Sequence, residues 1–257
     1  MLRQKLVAHY ERAGRAVRFR NREISRLEGL SDAVFGFAIT LLIVSLEVPK
    51  TSSELIATMR GFVAFAFTFF ILFTIWYRQF SFFRRYGLED KVAIALNGAL
   101  LFVVLFFIYP LKFLATWIAG RLMGGGKSIV LANGTLERIL KPEHIPWLFG
   151  IYGCGFAAVF AVFALLYRHA LSKSDELGLS DLERFETRQA VKLNGMVAGL
   201  GLLVAVSGTA AQLENSTGPL RYAGDVVGII TVVGVVVLMR LRMRSRRQQR
   251  AMESLAS

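Results

Sequence analysis

The chain has 257 residues and a formal charge of +13 at neutral pH, with 31 Lys and Arg against 18 Asp and Glu, yet 54% of it is hydrophobic and its mean hydropathy is +0.50. A soluble protein this basic is ordinarily a nucleic-acid binder, but here long apolar runs keep the charges apart, which points away from nucleic acid and toward a membrane. A single cysteine, Cys154, rules out an intrachain disulfide.

Residues 1–25 are polar and Arg-rich. They read either as a basic amphipathic helix lying on a membrane face or as a solvated arm. The first apolar run, 33–46, is shorter than the ~20 helical residues that cross a hydrocarbon core, so the spanning helix must draw in Ser31 and Asp32. A carboxylate at mid-helix costs roughly 2.5–3.5 kcal/mol on insertion scales, which makes Asp32 a residue in need of a partner. The run lies behind the polar arm and lacks a small-residue cleavage site, so it is not expected to be a signal peptide.

Further apolar runs follow at 61–77, 92–111, 145–167, 193–213 and 226–239, giving six expected spanning helices. Helices two and three are rich in phenylalanine, expected to meet lipid and neighbouring helices, and Pro110 is expected to bend or open the third. The connection 119–145 contains "GGGKS", which lacks the first glycine and preceding strand of a phosphate-binding loop and reads as a flexible loop. Ser180 and Glu183 have the spacing of a helix start, while Gly195 and Gly199 form a GxxxG packing signal in helix five.

Basic residues crowd the arm, the connections after helices two and four, and the tail. By the positive-inside rule both termini are cytoplasmic, and the same charges attract anionic lipid at that face. The expected organisation is a basic cytoplasmic arm over 1–25, a six-helix membrane domain over 26–241 and a basic cytoplasmic tail over 242–257. The fold class is an all-α integral membrane protein.

Enzymatic chemistry is not expected. His9, His144 and His169 are scattered, and none stands with a Cys, Asp or Glu at metal-ligand spacing. No "TVGYG" filter loop is present. Helix one offers one helical face at 3 and 4 spacing, Phe37, Thr40, Val44 and Glu47. Spacing alone leaves open whether this is a narrow cation path or an ordinary packing stripe.

"R-L-E-G-L-S-D" followed by "AVFGFAITLLIV" resembles the signature of the transmembrane protein 175 family of prokaryotic and lysosomal potassium channels, an Arg-x-x-x-Phe-Ser-Asp motif opening the first helix. Arg26, Ser31 and Asp32 match, and Leu30 replaces the phenylalanine. The family's Trp-x-x-His-His-x-x-Phe at the end of helix two is similar to "WYRQFSFF", which keeps Trp76 and Phe83 but carries Gln79 and Phe80 in place of the histidines. Asn97, early in helix three, also fits.

The resemblance implies a single six-helix repeat, four copies of which surround a pore lined by helix one. Its constriction falls five, eight and twelve residues after the motif aspartate, at Phe37, Thr40 and Val44, with phenylalanine where the family has leucine or isoleucine. The implied roles are a hydrophobic gate at Phe37 and Val44, hydroxyl oxygens from Thr40, and an outer mouth at Glu47. Arg26, Ser31 and Asp32 are expected to pack helix one against Trp76, Gln79 and Asn97. The expected protein is a homotetrameric potassium-conducting channel of a bacterial inner membrane, with potassium as the permeant ion and no other cofactor, nucleic acid or organic substrate. A small-solute carrier and a non-conducting scaffold are the competing readings.

Overall fold

The computed structural model describes residues 25–44, 50–122, 128–130, 136–138 and 141–213. Five helices dominate: α1 Arg26–Val44, α2 Ser52–Tyr86, α3 Lys91–Leu122, α4 Ile145–Ser172 and α5 Asp181–Leu213. Between α3 and α4 lie a short antiparallel hairpin, β1 Ser128–Val130 with β2 Leu136–Arg138, and a 3-10 turn at Pro142–His144. The loop expectation thus gives way to a hairpin over part of 119–145, while Gly124 to Lys127 lie outside the described residues.

Four of the helices are long and apolar enough to cross a membrane, over Phe62–Tyr86, Lys91–Ile118, Ile145–Ser172 and Asp181–Gly208. This is an integral membrane protein with a helical fold. α1 has 19 residues, about 28 Å at 1.5 Å per residue, marginal for a ~30 Å core. The sixth expected run, 226–239, and the expected arm and tail lie outside the described residues, apart from Ser25 at the start of α1.

Local chemistry places the helix ends. Ser25 and Glu28 form a capping box at the start of α1: Glu28 N–H donates to Ser25 Oγ (3.1 Å) and Ser25 N–H to Glu28 Oε2 (3.0 Å). Ser180 and Glu183 repeat it at α5, as their spacing predicts. α2 ends at Gly87, whose φ of 61° is a left-handed conformation that glycine adopts without strain, and its N–H closes onto Phe83 O. α3 runs unbroken through Pro110.

The described chain divides into two compact units. In the first, α1, α2 and α3 pack on one another, and residues 162–192 carry the adjoining ends of α4 and α5. Phe35, Ala38 and Leu42 of α1 are buried, the last two with Ile108 of α3 and with Phe65 and Leu105 packed around them. Ala64 and Ala115 let α2 and α3 approach closely. Rings run up one side of α2 as a ladder, Phe62, Phe65, Phe69, Phe73, Trp76 and Phe80, with successive centroids 5.3–6.1 Å apart. Phe67, Phe70, Phe102 and Phe106 are exposed, as lipid-facing residues are.

Where α2 turns into α3, this unit is tied by polar groups. Tyr86 shares a hydrogen bond with Thr187 (2.7 Å) and Arg85 pairs with Glu186. Asp90 uses both carboxylate oxygens: Oδ1 accepts from Ala93 N–H and caps α3, while Oδ2 meets His169 Nε2 at 2.7 Å and Lys173 Nζ at 3.1 Å.

In the second unit, glycines bring the other halves of α4 and α5 together. A Cβ on Gly153 would lie 2.7 Å from Gly201 O, one on Gly201 2.9 Å from Ala157 N, and one on Gly208 2.7 Å from Pro146 O, so only glycine fits at these positions. The expected GxxxG pair takes no part in this contact, and the expected sixth run, 226–239, lies outside the described residues. Gly195 and Gly199 are exposed, with no described atom within 4 Å of where a Cβ would stand.

Burial opposes ionisation of Asp90, but the hydrogen bonds from Ala93 N–H, His169 and Lys173 outweigh it and hold the carboxyl at about 2, below its ordinary 3.8. A depressed carboxyl contributes stability that is present above its unfolded value and disappears as pH falls through the folded one. Thermal stability in detergent is therefore expected to drop between about pH 4 and pH 2. Asp90→Asn should shrink that drop; an identical pH profile would show that Asp90 does not contribute to it.

Candidate functional site

α1 carries two different faces. Glu28, Ser31, Phe35, Ala38 and Leu42, spaced by three and four residues, are buried, whereas Leu30, Ala33, Gly36, Phe37, Thr40 and Ile43 are exposed.

The buried face is held by a polar chain. Ser31 Oγ donates to Leu27 O of the preceding turn (2.8 Å) and accepts from Asn97 Nδ2 of α3 (2.8 Å); Asn97 Oδ1 in turn accepts from Gln79 Nε2 of α2 (3.0 Å). All three side chains belong to residues that are at most 1% exposed, so each bond is made away from solvent. Asp32 lies one residue further, turned about 100° round the helix. Its Oδ1 accepts from Trp76 Nε1 at 2.7 Å. Trp76 and Gln79 are three apart on α2 and so share a face: Trp76 receives Asp32 directly, while Gln79 reaches Ser31 only through Asn97 of α3.

Five of the six residues expected to pack helix one therefore meet: Ser31, Asp32, Trp76, Gln79 and Asn97. Arg26 does not. It is exposed and makes no hydrogen bond or ion pair with Ser31 or Asp32. Its Cα lies at the first residue of α1, and the charge beside that end is Glu28, buried, with Oε1 at 3.8 Å from Arg84 Nε of α2. Sequence reasoning passed over Glu28, though the Ser-x-x-Glu spacing from Ser25 was its signal. The two residues that stand in place of histidines divide the work. Gln79 supplies a buried donor, and Phe80 stacks on Trp76 at 5.5 Å with the Arg84 guanidinium over its ring at 5.4 Å.

On the opposite face Phe37 is 59% exposed. Thr40 is exposed too, and its hydroxyl lies 2.7 Å from Gly36 O and 3.0 Å from Phe37 O. The single hydroxyl proton is thus committed to the helix's own backbone, which leaves the oxygen lone pairs facing outward as acceptors. Val44 is the last residue of α1, and Glu47 lies outside the described residues. Among the described residues no cluster of three or more His, Cys, Asp or Glu could hold a metal ion.

Removing the middle of the polar chain should be more damaging than removing its ends. Asn97→Ala leaves a buried Gln79 amide without its acceptor and Ser31 without a donor, an expected loss of about 1–2 kcal/mol. Thermal unfolding in detergent measures this; a melting temperature equal to wild type would mean the chain contributes nothing to stability.

The family described as "Endosomal/lysosomal potassium channel TMEM175" matches over residues 26–107, which takes in α1, α2 and the first half of α3. A potassium channel of Marivirga tractuosa is 38% identical over 185 residues, covering 72% of this chain and 74% of its own. One of Chamaesiphon minutus is 26% identical over 189 residues, covering 70% and 82%. A crystal structure of the potassium channel MtTMEM175, a variant in complex with a Nanobody-MBP fusion protein, superposes with a TM-score of 0.75 at 32% identity, over 90% of this chain and 98% of that one. With a relative this similar over most of its length, and with Ser31 and Asp32 of the motif each bonded to a residue of the matched segment, the chain belongs to the TMEM175 family of potassium channels, a family of ion channels and not of enzymes.

Proposed function

We propose that four copies of this chain surround a single pore lined by α1 and conduct potassium ions. The observation that carries the reading is the two-faced character of α1. Its buried face is fixed to α3 by Ser31 and the apolar residues above it, Asp32 beside that face ties the helix to Trp76 of α2, and the opposite face bears Phe37 and Thr40. One chain supplies one such face, so a closed pore needs several copies related by rotation. Relatives described as potassium channels support the identity of the ion.

In this assembly Phe37 and Val44 form an apolar gate that stops flow by size and dewetting. Thr40, its proton held by Gly36 O, offers acceptor oxygen to a partly dehydrated cation, and Glu47 concentrates cations at the outer mouth. The chain crosses the membrane six times, the sixth over 226–239, with both termini in the cytoplasm. Arg-rich segments at that face bind anionic lipid. The bacterial relatives favour a bacterial inner membrane.

Purified protein in liposomes with a potassium gradient tests the pore. Phe37→Ala is expected to raise flux by about tenfold by opening an apolar constriction, and Thr40→Val to change the potassium to sodium ratio. Unchanged flux and ratio in both would remove α1 from the pore. Asp32→Asn weakens the bond to Trp76 and should lower the yield of assembled tetramer in size-exclusion chromatography before selectivity changes; a stable tetramer with altered selectivity would instead put Asp32 on the ion path.

A further inference from the structure

We propose that Leu30 forms a second apolar ring of the same pore, toward the N-terminal end of α1 from Phe37. The inference rests on the pore reading above and extends it to a residue outside the constriction that the family resemblance implies.

Leu30 stands seven residues before Phe37. Seven residues at 100° each return a side chain to within about 20° of the same direction, displaced about 10.5 Å along the axis. The two are exposed to nearly the same degree, 57% and 59%, while Ser31 between them in sequence is fully buried. α1 is one helix from Arg26 to Val44, so it cannot turn Phe37 toward an axis and Leu30 toward lipid without a break between them. A strict three-and-four alternation continues along this face through Leu30, Ala33, Phe37, Thr40 and Val44. Such a seam keeps facing one axis when helices wind about each other in a left-handed sense.

The residues between the two bulky side chains are small. Ala33 is exposed, and no described atom lies within 4 Å of where a Cβ on Gly36 would stand. Around an axis this gives an apolar ring at Leu30, a wider chamber beside Ala33 and Gly36, and a second apolar ring at Phe37. Among the described residues the carboxylates of α1 stand off this face: Glu28 is buried, and Asp32 is turned about 200° from Leu30 and bonded to Trp76. The pore thus has two dewetting barriers in series. In a series path the larger barrier masks the smaller, so removing Leu30 alone shows little until Phe37 is removed as well.

The test uses full-length protein in potassium-loaded liposomes. Phe37→Ala with Leu30→Ala should conduct at least about threefold better than Phe37→Ala alone, and Leu30→Ala alone should gain less than Phe37→Ala. In a Cys154→Ser background, Leu30→Cys should react with a charged, membrane-impermeant thiol reagent, with flux falling on reaction and returning on reduction. A double alanine variant equal to Phe37→Ala, or a Leu30→Cys thiol labelled only by a lipid-soluble reagent, overturns the second ring while leaving the pore reading intact. If Phe37→Ala itself leaves flux unchanged, the pore reading fails and the ring fails with it. Should Leu30→Cys not assemble, the alanine variants decide.

Discussion

A hydroxyl and a carboxylate stand side by side in the second turn of a helix only 19 residues long. Ser31 is buried and Asp32 exposed, and each is answered by another helix of the same protein, as polar groups drawn toward a membrane interior must be. Because Ser31 and Asp32 point about 100° apart, they are answered from different directions, Ser31 by Asn97 of α3 and Asp32 by Trp76 of α2. One attachment sets the height of a helix against its neighbours. Two attachments at one level also set its rotation, and the rotation decides which residues are left on the far face.

The partners are themselves held. Gln79 fixes the Asn97 amide, so that its nitrogen and not its oxygen faces Ser31. Trp76 sits in a ladder of stacked rings that begins at Phe62 and ends at Phe80, and such stacking limits how far the indole can swing. α3 carries Asn97 at a fixed depth because its first turn is capped by Asp90, which His169 and Lys173 grip from the end of α4. Beyond the polar level the same side of α1 continues as Phe35, Ala38 and Leu42, which pack without a specific direction. Direction comes from the hydrogen bonds, and closeness from the apolar burial.

What could be read beforehand follows the range of each interaction. The positions of the five described helices were legible because hydrophobicity over some twenty residues is a property of the chain itself. The capping box at Ser180 was legible because its partners lie three residues apart. The meeting of Ser31, Asp32, Trp76, Gln79 and Asn97 was legible only through a motif, since nothing in their spacing says that residues 44 or 66 positions apart touch. Arg26 misled for a physical reason: sharing a motif with Asp32 does not put it on the same side of the helix, and six residues separate their directions by about 120°. Gly195 and Gly199 show that backbones are able to approach, not which face a neighbour takes, and α4 does not take theirs. The close approach is made through Gly201 and Gly208, against Gly153 and Pro146 of α4. A hairpin of two three-residue strands is too short to leave a periodic signal at all.

The far face of α1 can be argued further from the bonding of Thr40. A free hydroxyl serves as donor or acceptor and would suit a cation and an anion alike. This one gives its proton to the helix backbone at Gly36 O, so only lone pairs face outward. Within the proposed pore that makes a ring of acceptors with no donor to offer, flanked by apolar side chains that strip water from whatever passes. Such a site disfavours anions without any fixed charge. It remains tolerant among monovalent cations, because four hydroxyl oxygens replace only part of a hydration shell. Selectivity of this kind depends on keeping Thr40 at one angle to the axis, which returns the ion's fate to the two side chains, Ser31 and Asp32, that hold the helix from turning.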